Sequence, residues 1–194
     1  MTEIRCSYHP KNLCKGFTFF ELIIVMIIIA VIGTYATISL KKSILHNQLQ
    51  KASFEMMMQL SSMRPLALKN DARVLVRFCA EACSVFVDTS GDTVAQAGEF
   101  SYAWEVKKNV LLGLPSGSSP SSAPPGSQLP ASGSVAAGQW SNMFVVDNDA
   151  LGSINSGCLY LHSPKLTDKA YCITSFGSQT LKIFSWSGGT WSAQ

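Results

Sequence analysis

The sequence predicts an α+β fold: one long N-terminal helix lying on an antiparallel β-sheet domain. Two observations predict the helix. An unbroken apolar run extends from Phe17 to Leu40, and a three- and four-residue period then carries apolar side chains on to Met63. A third predicts the sheet: from Arg73 onward the chain becomes short alternating segments separated by turn residues.

The first element is the apolar run, FTFFELIIVMIIIAVIGTYATISL. As a helix it would extend roughly 36 Å at about 1.5 Å per residue, enough to span a bilayer. It exceeds the apolar core of about 7–15 residues found in an ordinary signal peptide. A basic stretch precedes it and stops at Lys15-Gly16, and one carboxylate, Glu21, stands near its start. An ionisable group at mid-membrane costs about 2.5–3.5 kcal/mol on insertion scales, so it calls for a partner. Cutting before Phe17 would create an amino group four residues from Glu21. On staggered neighbouring helices the two charges could pair. A plain signal anchor, or cleavage near Thr34-Tyr35-Ala36, explains neither the Gly-Phe junction nor the carboxylate.

The segment Lys15-Gly16-Phe17-Thr18-Phe19-Phe20-Glu21-Leu22-Ile23-Ile24-Val25 resembles the prepilin peptidase signal of type IV pilins and type II secretion pseudopilins. The resemblance implies that Gly16 precedes the scissile bond and that Phe17 becomes the N-methylated first residue. It makes Glu21 the fifth residue of the mature chain, with a role in assembly. Phe19-Phe20 depart from the Leu-Ile more common in the family but keep the apolar character. Implied partners are the prepilin peptidase, other pilins or pseudopilins through the N-terminal helix, and the bacterial inner membrane before assembly. The implied location is a single-pass inner-membrane protein with its globular domain in the periplasm, later part of a pilus or pseudopilus.

The second element continues the helix. Leu45, Leu49, Ala52, Met56, Leu60 and Met63 form an apolar stripe, with Lys42, Gln48, Gln50 and Gln59 off it. Met56-Met57-Met58 reads as adaptable core. Pro65 removes a backbone donor, which predicts a kink there and an end near Lys69-Asn70. The expected organisation is a cleaved leader over 1–16, a transmembrane half over 17–40, an amphipathic half over 41–70 and a β-rich domain over 71–194.

Candidate strands are 73–78, 84–88, 102–106, 109–112, 140–146, 158–162, 171–175 and 181–186. Phe144 to Gly152, followed by Ser156 to Leu161, resembles the Phe-x-x-x-Gly turn and next strand of the GspH/FimT family of minor pilins and pseudopilins. Ser175-Phe176-Gly177 stands where members have a Ser-x-x-Gly-Arg turn, but Ser178 follows the glycine and the arginine is missing. Between the candidate strands 109–112 and 140–146, residues 113–139 are about two-thirds Gly, Ser and Pro, and no charge occurs between Lys108 and Asp147. That composition predicts a mobile loop. A linker between lobes and an exposed contact or glycosylated loop are the alternatives.

Six cysteines divide into Cys6 and Cys14 in the leader and the pairs Cys79/Cys83 and Cys158/Cys172. The even count after the leader suits an exported, oxidised domain. Each pair flanks a turn-like stretch, and a directly opposed hairpin pair would come within disulfide range, which favours Cys79–Cys83 and Cys158–Cys172. Crossed pairings remain open. A four-thiolate zinc site is a rival, but its spacings do not match paired knuckles, so no metal is assigned.

Of the histidines, His9 goes with the leader, His46 falls on the helix and His162 on a strand, and they form no catalytic group. Asp147 and Asp149 read as a polar turn rather than a calcium loop. No enzyme and no cofactor is indicated. The net charge of +3, of which Arg5, Lys11 and Lys15 against Glu3 place two before residue 17, is too small for a dedicated nucleic-acid binder. The resemblance implies, as the expected function, a minor pilin or pseudopilin at or near the tip of its fibre. The alternative is a tip module for DNA uptake or surface adhesion, with DNA as a partner resting on Lys165, Lys169 and Lys182 alone.

Overall fold

The computed structural model describes residues 17–114, 120, 122–130, 134–141, 143–149, 151–175 and 180–194. The chain divides between Leu40 and Lys41 into two compact units. Helix α1 (Phe19–Asn70) begins in the first and ends in the second, with Pro65 inside it.

In the first unit the apolar stretch of α1 is long enough to cross a membrane, and none of it is buried within the molecule. Its few polar side chains bond to the helix itself: the Thr34 hydroxyl donates to the Ala30 carbonyl at 2.8 Å and Thr37 to Thr34 at 2.8 Å. Such bonds satisfy hydroxyls where no water would do so.

In the second unit α1 has a buried stripe of Leu49, Ala52, Ser53, Met56, Leu60, Met63 and Ala67. Each fully buried leucine here contributes about 1.5–3 kcal/mol. The helix ends in a Schellman arrangement, in which the Ala72 N–H donates back to the Ala67 carbonyl at 3.3 Å around Asp71 at φ 48°. The Asn70 side chain donates to the Leu66 carbonyl at 2.8 Å, which occupies another terminal acceptor.

Two antiparallel sheets follow. The four-stranded one runs in the order β3 (Ser101–Glu105), β2 (Ala82–Asp88), β1 (Arg73–Phe78) and β6 (Phe144–Val146). The other runs β10 (Thr190–Ala193), β9 (Lys182–Ser187), β8 (Leu166–Ser175), β7 (Gly157–Ser163) and β4 (Leu111–Leu112). Strand β5 (Ala136–Gly138) shares the outer edge of β7, pairing with its first half while β4 pairs with Leu161 and His162. One buried cluster joins the helix stripe to both sheets, with Val74, Val76, Val85 and Val87 from the first and Leu159, Leu161, Tyr171 and Ile173 from the second.

The segment 113–139, expected as a loop, ends in β5 and a 3-10 turn at Gln139–Ser141. Its described middle is caught by donors from the second sheet. The Tyr160 hydroxyl donates to the Gln128 carbonyl at 2.8 Å, and the Trp191 indole donates to Ser122 at 2.7 Å. The ordering contacts come from strands remote in sequence, so the local composition did not reveal them. The predicted strand over 140–146 is correspondingly shorter. Trp140 lies in the turn, fully buried, with its indole donating to the Asn155 carbonyl at 2.6 Å and its ring edge-on to Phe144. Gly157 makes that burial feasible, because a Cβ there would fall 2.2 Å from the Trp140 ring.

Candidate functional site

The N-terminal site begins at Phe17, which is exposed and precedes the helix, while Gly16 lies outside the described residues. Thr18 and Glu21 form a capping box. The Thr18 N–H and hydroxyl each donate to Glu21 Oε2 at 3.3 Å, and the Glu21 N–H donates to the Thr18 hydroxyl at 3.3 Å. The expected partner of Glu21 was an amino terminus, its own or a neighbour's, and Thr18 is an additional one. The signal was available in Thr18-x-x-Glu21, a threonine three residues before a glutamate at the start of an apolar run. Glu21 thus has an occupant for its carboxylate within its own chain. The contact is exposed, and a cap of this kind contributes only about 0.5–2 kcal/mol.

The cysteine pairs occupy different sheets, and neither has the direct opposition expected from its turn. In the β1–β2 hairpin Cys83 pairs with Phe78, and the Cys79 N–H donates to the Ala82 carbonyl at 2.8 Å. The turn is therefore one residue tighter than expected and offsets the two cysteines. Cys79 is exposed and Cys83 buried; burial first, then the neighbouring Cys79, raises the Cys83 thiol to about 12. In the β7–β8 hairpin Cys158 pairs with Thr174 and Cys172 with Tyr160, because the register shifts between His162 and Ser163. These two cysteines are diagonal neighbours on one face of the sheet.

All four thiols are free here. The neighbouring Cys172 thiol lowers the pKa of Cys158, and burial opposes it. Cys172 itself is pushed well up, mainly by burial. Cys158 also donates to the Gln128 carbonyl at 3.1 Å and borders a hollow of about 330 Å³ lined by Gln128, Gly138 and Ser175.

The other singled-out residues have structural surroundings. His162 is buried with Nδ1 3.0 Å from the Gly113 carbonyl, and burial lowers its pKa while that contact raises it. Asp149 accepts from the Ser153 N–H and hydroxyl at 2.8 and 2.6 Å, and Asp147 pairs with Arg73 at 2.8 Å.

No curated protein and no solved structure matches the chain significantly. Residues 11–37 do match the family model of the prokaryotic N-terminal methylation motif. The match covers the Gly16–Phe17 junction, the Thr18–Glu21 cap and most of the apolar half of the helix. The chain thus carries a prepilin-type N-terminus, which supports a type IV pilin-like protein anchored by its first helix, processed by a prepilin peptidase and assembled with other pilins.

Proposed function

We propose that the protein is a minor pilin or pseudopilin of the GspH/FimT kind, a structural subunit of a type IV pilus or type II secretion pseudopilus that acts at or near its tip. The observation that carries this reading is the methylation motif over 11–37, joined to a helix whose apolar half is unburied among the described residues. In this reading Gly16 precedes the cut, Phe17 is the methylated first residue, and Glu21 neutralises an amino terminus, its own or a neighbour's. Before assembly the chain crosses the inner membrane once, with the sheet domain in the periplasm. Motifs of this class serve structural subunits rather than enzymes.

Intact-mass spectrometry of protein from its native membrane tests the processing. The expected mass lacks the first sixteen residues and carries one methyl group. An uncut chain, or an N-terminus near Thr37, would contradict it. In the oxidising compartment that this location implies, Cys79–Cys83 and Cys158–Cys172 are the proposed bridges. The second closes a loop of roughly fifteen residues and would contribute about 3 kcal/mol on the chain-entropy account. Non-reduced peptide mapping should recover both, and Cys79 joined to Cys158 or Cys172 would refute the pairing.

A further inference from the structure

We propose that lysines of the second unit, Lys42, Lys165 and Lys169 with Lys41 beside them, form a surface for the anionic headgroups of phospholipids. This inference rests on the reading of α1 as a membrane anchor.

The cluster is assembled from remote parts of the chain. Lys42, on the helix, pairs with Asp168 at 2.8 Å. Lys165, in the β7–β8 turn, donates to the Asn109 side chain at 2.9 Å. Lys107 is already paired with Glu55 at 2.6 Å and adds no charge. Lys169 faces an imidazole, its ammonium 3.3 Å from His46 Nε2.

Donors outnumber acceptors here. Among the described contacts of these lysines, Asp168 supplies the carboxylate at Lys42, Asn109 a neutral oxygen and His46 a neutral nitrogen. His46 Nδ1 is itself buried without a partner. Each ammonium carries three donors, and a lipid phosphate offers the anionic oxygens that the cluster lacks. Beside Lys42 and Lys165 a hollow of about 420 Å³ has Leu45 and Leu166 in its lining along with Asp168. A hollow that sets two leucines among ammonium groups suits an amphiphile better than a free ion.

Chain connectivity selects the lipid. Lys41 and Lys42 follow Leu40, the last residue of the apolar run, within roughly 3 Å of helix rise. The headgroup layer extends some 5–7 Å beyond the hydrocarbon on each side. The lysines therefore begin where the phosphates are. A nucleic-acid duplex approaching the same place would meet the negative charge of the membrane surface.

The test is lysine acetylation of the full chain in vesicles of phosphatidylcholine alone or with phosphatidylglycerol, read by peptide mass spectrometry. With phosphatidylglycerol, labelling of Lys42, Lys165 and Lys169 should slow about fivefold each, and the slowing should fade in high salt. The exposed helix lysines Lys51 and Lys69 should label equally in both. Replacing Lys165→Glu and Lys169→Glu together should leave insertion intact and abolish the protection at Lys42. Equal labelling of inserted protein in the two vesicles would overturn the headgroup contact while leaving the anchor standing. Protection of the same lysines by duplex DNA on detergent-solubilised protein, and not by phosphatidylglycerol, would overturn it in favour of nucleic acid. Failure to enter either vesicle would overturn the anchor and this inference together.

Discussion

The two halves of α1 meet different surroundings with the same secondary structure. In the first, large apolar side chains point outward all round: Ile29 is 63% exposed and Ile32 62%. In the second, apolar residues keep to a stripe and disappear from solvent, Leu49 and Leu60 completely. An all-round apolar surface can be stable only in lipid or against other subunits, whereas a stripe needs just one sheet to cover it. The first half is therefore built for apolar surroundings such as lipid or neighbouring subunits. The second is covered by strands of its own chain.

That contrast can be broken by paired substitutions. Leu60→Ala should cost the sheet domain about 2–5 kcal/mol, the usual range for a buried leucine truncated to alanine. Ile29→Ala should leave domain stability within about 0.5 kcal/mol. Denaturant unfolding of the full chain in detergent, followed by tryptophan fluorescence, measures both. Equal losses would mean that the exposed half is part of the domain's fold.

A smaller effect sharpens the account of the second unit. Gly157→Ala places a methyl group into the Trp140 ring and should cost about 1–3 kcal/mol through overpacking, with altered Trp140 emission. Unchanged stability and emission would show that the ring has room to move. The smallest effect is expected at the surface pair. Asp168→Asn should cost no more than about 1 kcal/mol, since both side chains of the Lys42–Asp168 pair are about half exposed. The Lys42 hydrogen bond is the main cause of a lowered Asp168 pKa. Its contribution is therefore present above the ordinary carboxylate pKa and fades as pH falls through the lowered one. A larger loss at neutral pH would give this pair a role beyond the surface.

The parts legible in the sequence were those written in local periodicity. The buried positions 49, 52, 56, 60 and 63 follow from three- and four-residue steps, and β1 and β2 from alternation. The helix end at Asn70 was foreseen, though the reason lies in Asp71 rather than in Pro65 alone. Register was less legible. The shift at His162/Ser163 moves Cys172 from its expected partner to Tyr160, and a bulge of this kind is decided by packing on both sheet faces. The contacts of 122–130 were hidden for a similar reason, because their donors, Tyr160, Cys158 and Trp191, lie at least thirty residues away. At the N-terminus the prepilin-type motif was legible in the residues themselves. The cap made by Thr18 is less legible, because a carboxylate inside an apolar run reads first as a membrane charge.

The capping box gives Glu21 two roles to separate, closing its own helix and pairing with an amino terminus during assembly. The most direct measurement is the ratio of protein in sheared or cross-linked fibres to protein in the membrane, compared for wild type, Thr18→Ala and Glu21→Ala. Thr18→Ala removes the cap, at about 1 kcal/mol, and should leave the ratio close to wild type. Glu21→Ala should insert at least as well, because the charge is gone. It should lower the ratio by at least a hundredfold, since a buried pair broken on one side loses about 3–5 kcal/mol. A Glu21→Ala ratio equal to that of Thr18→Ala would make Glu21 a helix cap and nothing more, and would contradict the proposed assembly role.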